Sequence, residues 1–240
     1  MLRSCLLAIF VALVPFSASS QDLTEDDVKR LALEAILENP SIIMEAVALL
    51  EQQREAQQQQ IVSELLSNNR ALLENDQNAP VLGNPDGDVV LIEFFDYNCP
   101  YCKRSANDVN ALIADDPNLK VVFREWPVLG EGSVFAARAA LAARAQGKYD
   151  DMHWALMEQR GRVDEANVLA IARSLGLDME QLLADMRGPV VAAHIQVSMD
   201  LAQMVGFTGT PSFIIGDALV PGAVPRDQLE SYIVAAREAN

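Results

Sequence analysis

Two cysteines stand three positions apart in the run Asn98-Cys99-Pro100-Tyr101-Cys102. Such a pair can exchange electrons, one thiolate attacking a disulfide and the second resolving the mixed disulfide that forms. It can also bind a soft metal through two thiolates. The third cysteine, Cys5, lies in an N-terminal leader, so two remain once the leader is removed. A bridge that staples a fold gains most by closing a long loop, and one from Cys99 to Cys102 closes almost none. The pair is therefore read as chemistry rather than as a staple.

The flanking pattern divides the labour between the two thiols. Val89-Val90-Leu91-Ile92 and Phe94-Phe95 form an apolar run of the kind found in a buried strand, and it leads straight into the pair. Ala106, Val109, Leu112 and Ile113 follow at helical spacing. Cys99 then falls near a helix N-cap, where free N–H groups and the positive end of the dipole favour a thiolate, and Pro100 suits the first helical position. Cys102, one turn on, is placed to attack a mixed disulfide at Cys99. Cys99 is expected to be the nucleophile and Cys102 the resolving thiol. A zinc site would need two more ligands, yet His153 and His194 are distant in sequence and lack ligand spacing. Both are expected as helix-face residues, no metal site is expected, and copper(I) held by the two thiolates stays as an alternative.

The elements around the pair follow from pattern. Residues 1–20 read as a secretory signal peptide, with Arg3, an apolar run over 6–16, and Ala18 and Ser20 before Gln21. That run is too short to span a bilayer, which needs about 20 apolar residues. Residues 21–78 read as a helical arm, with a capping box at Thr24 and Asp27, a stop at Asn39-Pro40, and a second helix from 42 to about 74. The seam of that helix is apolar at both ends and polar in the middle, with Gln57 to Gln60 as a solvated face. Such a helix is longer than one small domain can cover, so self-association or a fold-back onto the same chain must supply its partners.

A domain is expected over 79–240. Its second strand, over 119–123, runs parallel to the first if the intervening helix is a crossover. A helical insertion occupies about 133–205, then Pro211-Ser212-Phe213-Ile214-Ile215, the Gly216-Asp217 turn and Ala218-Leu219-Val220 read as a hairpin. A last helix covers about 226–237. The whole is 240 residues, 50% hydrophobic and 22% charged, ordinary globular material. Its 18 Lys and Arg against 34 Asp and Glu give a net charge of −16, which repels phosphate backbones and excludes nucleic acid as a partner.

The stretch Glu93-Phe94-Phe95-Asp96-Tyr97-Asn98-Cys99-Pro100-Tyr101-Cys102-Lys103 resembles the active site of DsbA-like thiol-disulfide oxidoreductases, and Thr210-Pro211 before a strand resembles their cis-proline loop. The resemblance implies an α/β thioredoxin fold with a helical insertion, and no cofactor beyond the Cys99–Cys102 disulfide. It implies that Thr210, Pro211, Pro100 and Tyr101 meet the substrate chain. Glu93 matches the family's partly buried acid, which can relay a proton when Cys102 attacks; the alternative is an exposed charge at a strand end.

The arm segment Leu37-Glu38-Asn39-Pro40-Ser41-Ile42-Ile43-Met44-Glu45-Ala46 resembles the oligomerisation segment of the suppressor-of-copper-sensitivity C proteins, trimeric members of that group. This implies a homotrimer through residues 22–78, a geometry that suits disulfide isomerisation. Pro100-Tyr101 lacks the His that follows Pro in strongly oxidising relatives, and Thr210 before the cis-proline is typical of isomerase-type members. The reading that results is a periplasmic disulfide isomerase or reductase acting on exported, including copper-damaged, proteins. Its implied partner is a membrane thiol reductase of the DsbD or suppressor-of-copper-sensitivity B type. A DsbA-like oxidase and a non-enzymatic copper(I)-binding protein are the alternatives.

Overall fold

The computed structural model describes residues 23–239, so the expected signal peptide and Cys5 lie outside the described residues. These residues form two compact units, one ending at Ala56 and the other beginning at Gln57. The first unit opens with helix α1 (Glu25–Glu38), nucleated by the expected capping box: the Thr24 hydroxyl accepts the Asp27 N–H at 3.3 Å and the Asp27 carboxylate accepts the Thr24 N–H at 3.3 Å. Pro40 stops α1, because it lacks an N–H and disfavours helical backbone in the residue before it. Helix α2 (Ser41–Asn75) starts beyond it and runs for 35 residues. No residue of α1 is buried. Val28, Leu31, Ile36, Ile43, Val47 and Leu50 are 36–52% exposed, an apolar load that α1 and the start of α2 leave open to solvent.

The pattern change near Ala79 marks the approach to the first strand, but the compact second unit takes in α2 from Gln57 onward. Leu66 and Leu73 are its anchors, 1% and 2% exposed, and they pack with Ile92, Phe94 and Val122 of the sheet. Burying a leucine to that extent contributes about 1.5–3 kcal/mol.

Five strands form the sheet: β1 (Val81–Gly83), β2 (Val89–Phe95), β3 (Leu119–Glu125), β4 (Ser212–Ile215) and β5 (Ala218–Pro221), in the order β1-β3-β2-β4-β5. Central β2 is parallel to β3 and antiparallel to β4. Helix α3 (Pro100–Asp115) is the crossover between β2 and β3. Strand β2 is apolar on both sides because both faces are covered. Leu91, Phe95, Val121 and Phe123 face α3 and the insertion, whereas Ile92, Phe94 and Val122 face α2.

The insertion comprises α4 (Glu131–Ala143), a 3-10 turn, α5 (Tyr149–Glu158), α6 (Glu165–Ser174), α7 (Met179–Asp185) and α8 (Pro189–Met204). Helix α9 (Arg226–Ala239) closes the chain, and the β4–β5 turn needs glycine at 216, where φ is 57° and a Cβ would lie 2.9 Å from that of Ala236. Two elements escape the sequence pattern. Edge strand β1 has only three residues, Val81–Gly83, too few to show an alternating pattern. Helix α5 hides its Tyr149, Met152 and Leu156 stripe among Asp150, Asp151 and His153.

Candidate active site

The site forms where β2 ends and α3 begins. Cys99 is the N-cap of α3, with extended backbone (φ −79°, ψ 118°), and Pro100 takes the first helical position. The turn before it is held by two short polar side chains. Asp96 accepts the Cys99 N–H on its backbone carbonyl at 3.0 Å. Its carboxylate accepts the N–H of Asn98 at 2.7 Å, of Val128 at 2.8 Å and of Leu129 at 2.9 Å. Asn98 accepts the Val163 N–H at 2.7 Å and donates to the Val163 carbonyl at 3.0 Å and to the Ser133 hydroxyl at 3.1 Å. On the far side of the pair, Lys103 donates to the carbonyls of Gln159 and Gly161. The insertion is thereby strapped to the residues on either side of the two cysteines. The sequence reading assigned no role to Asp96, Asn98 or Lys103; the one available signal was that Asp and Asn before an N-cap are turn formers.

Both thiols are free, Cys99 at 5% exposure and Cys102 fully buried. The Cys99 thiol is held down to about 5, chiefly by a hydrogen bond from the Cys102 thiol, with the Thr210 side chain and the N–H groups of Cys102 and Tyr101 adding to it and burial opposing. Burial pushes the Cys102 thiol far up, and the neighbouring Cys99 and Glu93 push it the same way. The two thiols are thus set apart: one ionised at neutral pH, the other protonated until something removes its proton. In its protonated form Cys99 donates to the Thr210 carbonyl at 3.2 Å, and the Thr210–Pro211 peptide is cis. Pro211 is buried, Thr210 half-buried, and Pro100 and Tyr101 are exposed beside the cysteines.

Glu93 lies inside β2 at 1% exposure, paired in register with Phe123 and Phe213, so it is no exposed strand-end charge. Its Oε1 has no hydrogen-bond partner among the described residues. Burial, and then the charge of Cys99, push its carboxyl up to about 8. A buried acid near neutrality on the strand that delivers Cys99 is placed to exchange a proton with a buried thiol.

The two histidines sit on helices, α5 and α8, each on a face turned into the core, at 0% and 1% exposure. His153 Nδ1 is 3.1 Å from the Tyr97 hydroxyl, and burial pushes the ring down to about 3, so it is neutral. His194 Nε2 is 2.6 Å from the Glu125 carboxylate, which also accepts the Tyr149 hydroxyl at 2.7 Å. Neither was separable from a surface residue by spacing alone. Among the described residues no group of three or more His, Cys, Asp or Glu gathers where a metal ion could be held.

A sequence model of the DSBA-like thioredoxin domain matches residues 90–234. Among solved structures, a thioredoxin-like oxidoreductase from Silicibacter pomeroyi DSS-3 is 61% identical, with a TM-score of 0.70, covering 72% of this chain and 99% of that one. The thiol-disulfide exchange protein alpha-DsbA2 from Wolbachia pipientis is 30% identical, with a TM-score of 0.69 and coverage of 74% and 97%. Proteus mirabilis ScsC in a transitional conformation is 29% identical, with a TM-score of 0.69, and covers 93% of this chain and 99% of its own. Among curated sequences, the Na(+)/H(+) antiporter NhaA 1 of Salinispora arenicola (strain CNS-205) is 31% identical over 161 residues, 65% of this chain but 24% of that protein. The chain spans about a quarter of the length of the curated relatives it matches. Among the described residues no helix is long and apolar enough to cross a membrane.

Proposed function

The chain belongs to the DSBA-like thioredoxin-domain family and is a thiol-disulfide oxidoreductase with a Cys99–Cys102 pair, and from that premise we propose that it is a disulfide isomerase or reductase for exported proteins in the periplasm. The observation that carries the reading is the arm, whose Val28, Leu31, Ile43, Val47 and Leu50 are exposed and need partner helices. A homotrimer through residues 22–78 supplies them and joins several catalytic units, so a misfolded client held at one Cys99 can be attacked from another.

Cys99 thiolate attacks one sulfur of a client disulfide, forming the Cys99–client bond and expelling the other client sulfur as a thiolate. In isomerisation a client thiolate attacks the client sulfur of that mixed disulfide, a new client disulfide forms, Cys99 leaves as thiolate, and no electrons are gained or lost. Where the mixed disulfide stalls, Cys99 no longer carries the charge that raises Glu93, the Glu93 carboxyl ionises more readily, and Cys102 passes its proton to that carboxylate and attacks the Cys99 sulfur. The client leaves as thiolate, reduced by two electrons, and the Cys99–Cys102 disulfide remains. Thr210, Pro211, Pro100 and Tyr101 hold the client chain in extended form beside Cys99. A membrane thiol reductase of the DsbD or ScsB type returns the two electrons.

A second reading, a DsbA-like oxidase, draws on Cys99 being held down to about 5. A stabilised thiolate favours the dithiol form and so makes the disulfide a stronger oxidant. The thiol state in growing cells separates the two. Trapping with a maleimide of added mass finds an isomerase mainly reduced, and oxidised when the membrane reductase is deleted. A protein found mainly as the disulfide, with or without that reductase, is the oxidase.

A further inference from the structure

We propose that a cationic rim beside Cys99, formed by Arg104, Arg160 and Arg162, selects client segments that carry acidic side chains next to their cysteine. The inference rests on the exchange at Cys99 proposed above. Acids outnumber bases by 34 to 18 in this chain, and several cations away from the site are neutralised: Arg70, Arg124, Arg226 and Arg237 each pair with one or two carboxylates. Arg104, Arg160 and Arg162 are exposed and make no ion pair among the described residues.

Arg104 is held next to the cysteines by its side chain, and Arg160 and Arg162 by the loop that carries them. The guanidinium carbon of Arg104 lies 4.3 Å from the ring centroid of Tyr101, the residue between the two thiols, which holds the cation over an exposed aromatic face. Arg160 and Arg162 ride on the loop joining α5 to α6. That loop is tied to both flanks of the pair by Lys103 on the Gly161 carbonyl at 3.3 Å and by Asn98 on the Val163 N–H at 2.7 Å. Glycine at 132 permits the approach, since a Cβ there would lie 2.4 Å from the Val163 carbonyl oxygen. The Arg162 guanidinium reaches Gly130, where a Cβ would lie 3.4 Å from its Nη2. Gly130 follows Val128 and Leu129, 46% and 44% exposed, whose N–H groups Asp96 holds. Residues 159–163 contain no carboxylate, Asp164 beyond them is engaged as the N-cap of α6, and the exposed carboxylates at the margins, Glu158 and Glu131, pair with none of the three arginines among the described residues.

Exposed Tyr101, Val128 and Leu129 thus offer apolar contact, with cations at their edges. A patch of three apolar side chains and three cations fits a short extended segment, not a folded partner, whose interface would bury about 800 Å² on each side. Acidic residues beside the client cysteine complement the guanidinium groups, and lysines meet repulsion.

The test uses three synthetic peptides, each with one cysteine in mixed disulfide with a chromogenic thiol and flanked by Asp, Asn or Lys. Reduced full-length protein is mixed with each by stopped flow at about 20 mM and about 500 mM salt. At low salt the Asp peptide is expected to react about fivefold faster than the Asn peptide, with Lys slowest, and the order collapses at high salt. The net charge of −16 by itself favours the Lys peptide, so this order cannot come from the overall field. In the double variant Arg104→Gln, Arg162→Gln the Asp-to-Lys ratio falls to one or below, as the overall field then dictates, while circular dichroism is unchanged. Equal rates for the three peptides on the wild type, or an unchanged ratio in the double variant, overturn the rim. No reaction with the Asn peptide overturns the exchange reading itself.

Discussion

Cys99 and Cys102 lie one helical turn apart and carry opposite protonation at neutral pH, because Cys99 is held down chiefly by the Cys102 thiol, with Thr210 and the N–H groups of the helix start adding to it, whereas burial pushes Cys102 up. With Cys99 held down to about 5, its alkylation by iodoacetamide is expected to be flat from pH 6 to 8 and to fall about tenfold per unit below 5, whereas a thiol of ordinary pKa, about 8.5, climbs across that whole range. A rate that rises tenfold from pH 6 to 7 contradicts the assignment. Glu93 is the complementary case. Its carboxyl is raised to about 8, so its proton stabilises the fold fully below the ordinary value of about 4.3, and that contribution is lost as pH rises through 8. Glu93→Gln is expected to slow the resolving attack of Cys102 about a hundredfold and to remove from its rate the inflection set by Glu93, which falls below 8 because Cys99 carries no charge in the mixed disulfide, while the urea midpoint of the dithiol form becomes less sensitive to pH between 5 and 8. An unchanged inflection removes Glu93 from the proton path. The thiols and the cis-proline were legible because they are local motifs. Asp96 and Asn98 were not, since the groups they hold, Val128, Leu129, Ser133 and Val163, lie 32 to 65 positions away.

At the level of elements, the strand–turn–helix unit and the α1–Pro40–α2 break follow directly from period and capping, which are properties of neighbours in sequence. What α2 does past Gln57 is decided by a residue on another element. Arg124 of β3 is fully buried, pairs with Asp76 at 2.7 Å, and donates to the carbonyls of Leu72 and Leu73 at the C-terminal end of α2. A helix ends with unpaired carbonyls, and a buried cation there satisfies them and complements the dipole. In the sequence Arg124 looks like one charge in a strand, and nothing local discloses that it clasps a helix some fifty positions earlier. Arg124→Ala leaves Asp76 without its cation and those carbonyls without a donor. It is expected to cost about 3–5 kcal/mol in urea unfolding of the full chain. A loss under about 1 kcal/mol would mean that the clasp adds little to the anchoring of α2.

At the scale of the whole molecule, an exposed apolar arm and a catalytic unit with one reactive thiol make sense together if several units act on one client. Light scattering is expected to give three times the chain mass for the full chain and one chain mass for residues 57–240. A full-length monomer would leave the arm without its proposed purpose. The most direct test of the central claim is recovery of activity from scrambled, fully oxidised ribonuclease by the reduced full-length protein. The account predicts recovery that is lost in Cys99→Ala and much reduced when residues 23–56 are removed. No recovery, together with rapid oxidation of reduced ribonuclease by the disulfide form, would contradict it and identify a DsbA-like oxidase instead.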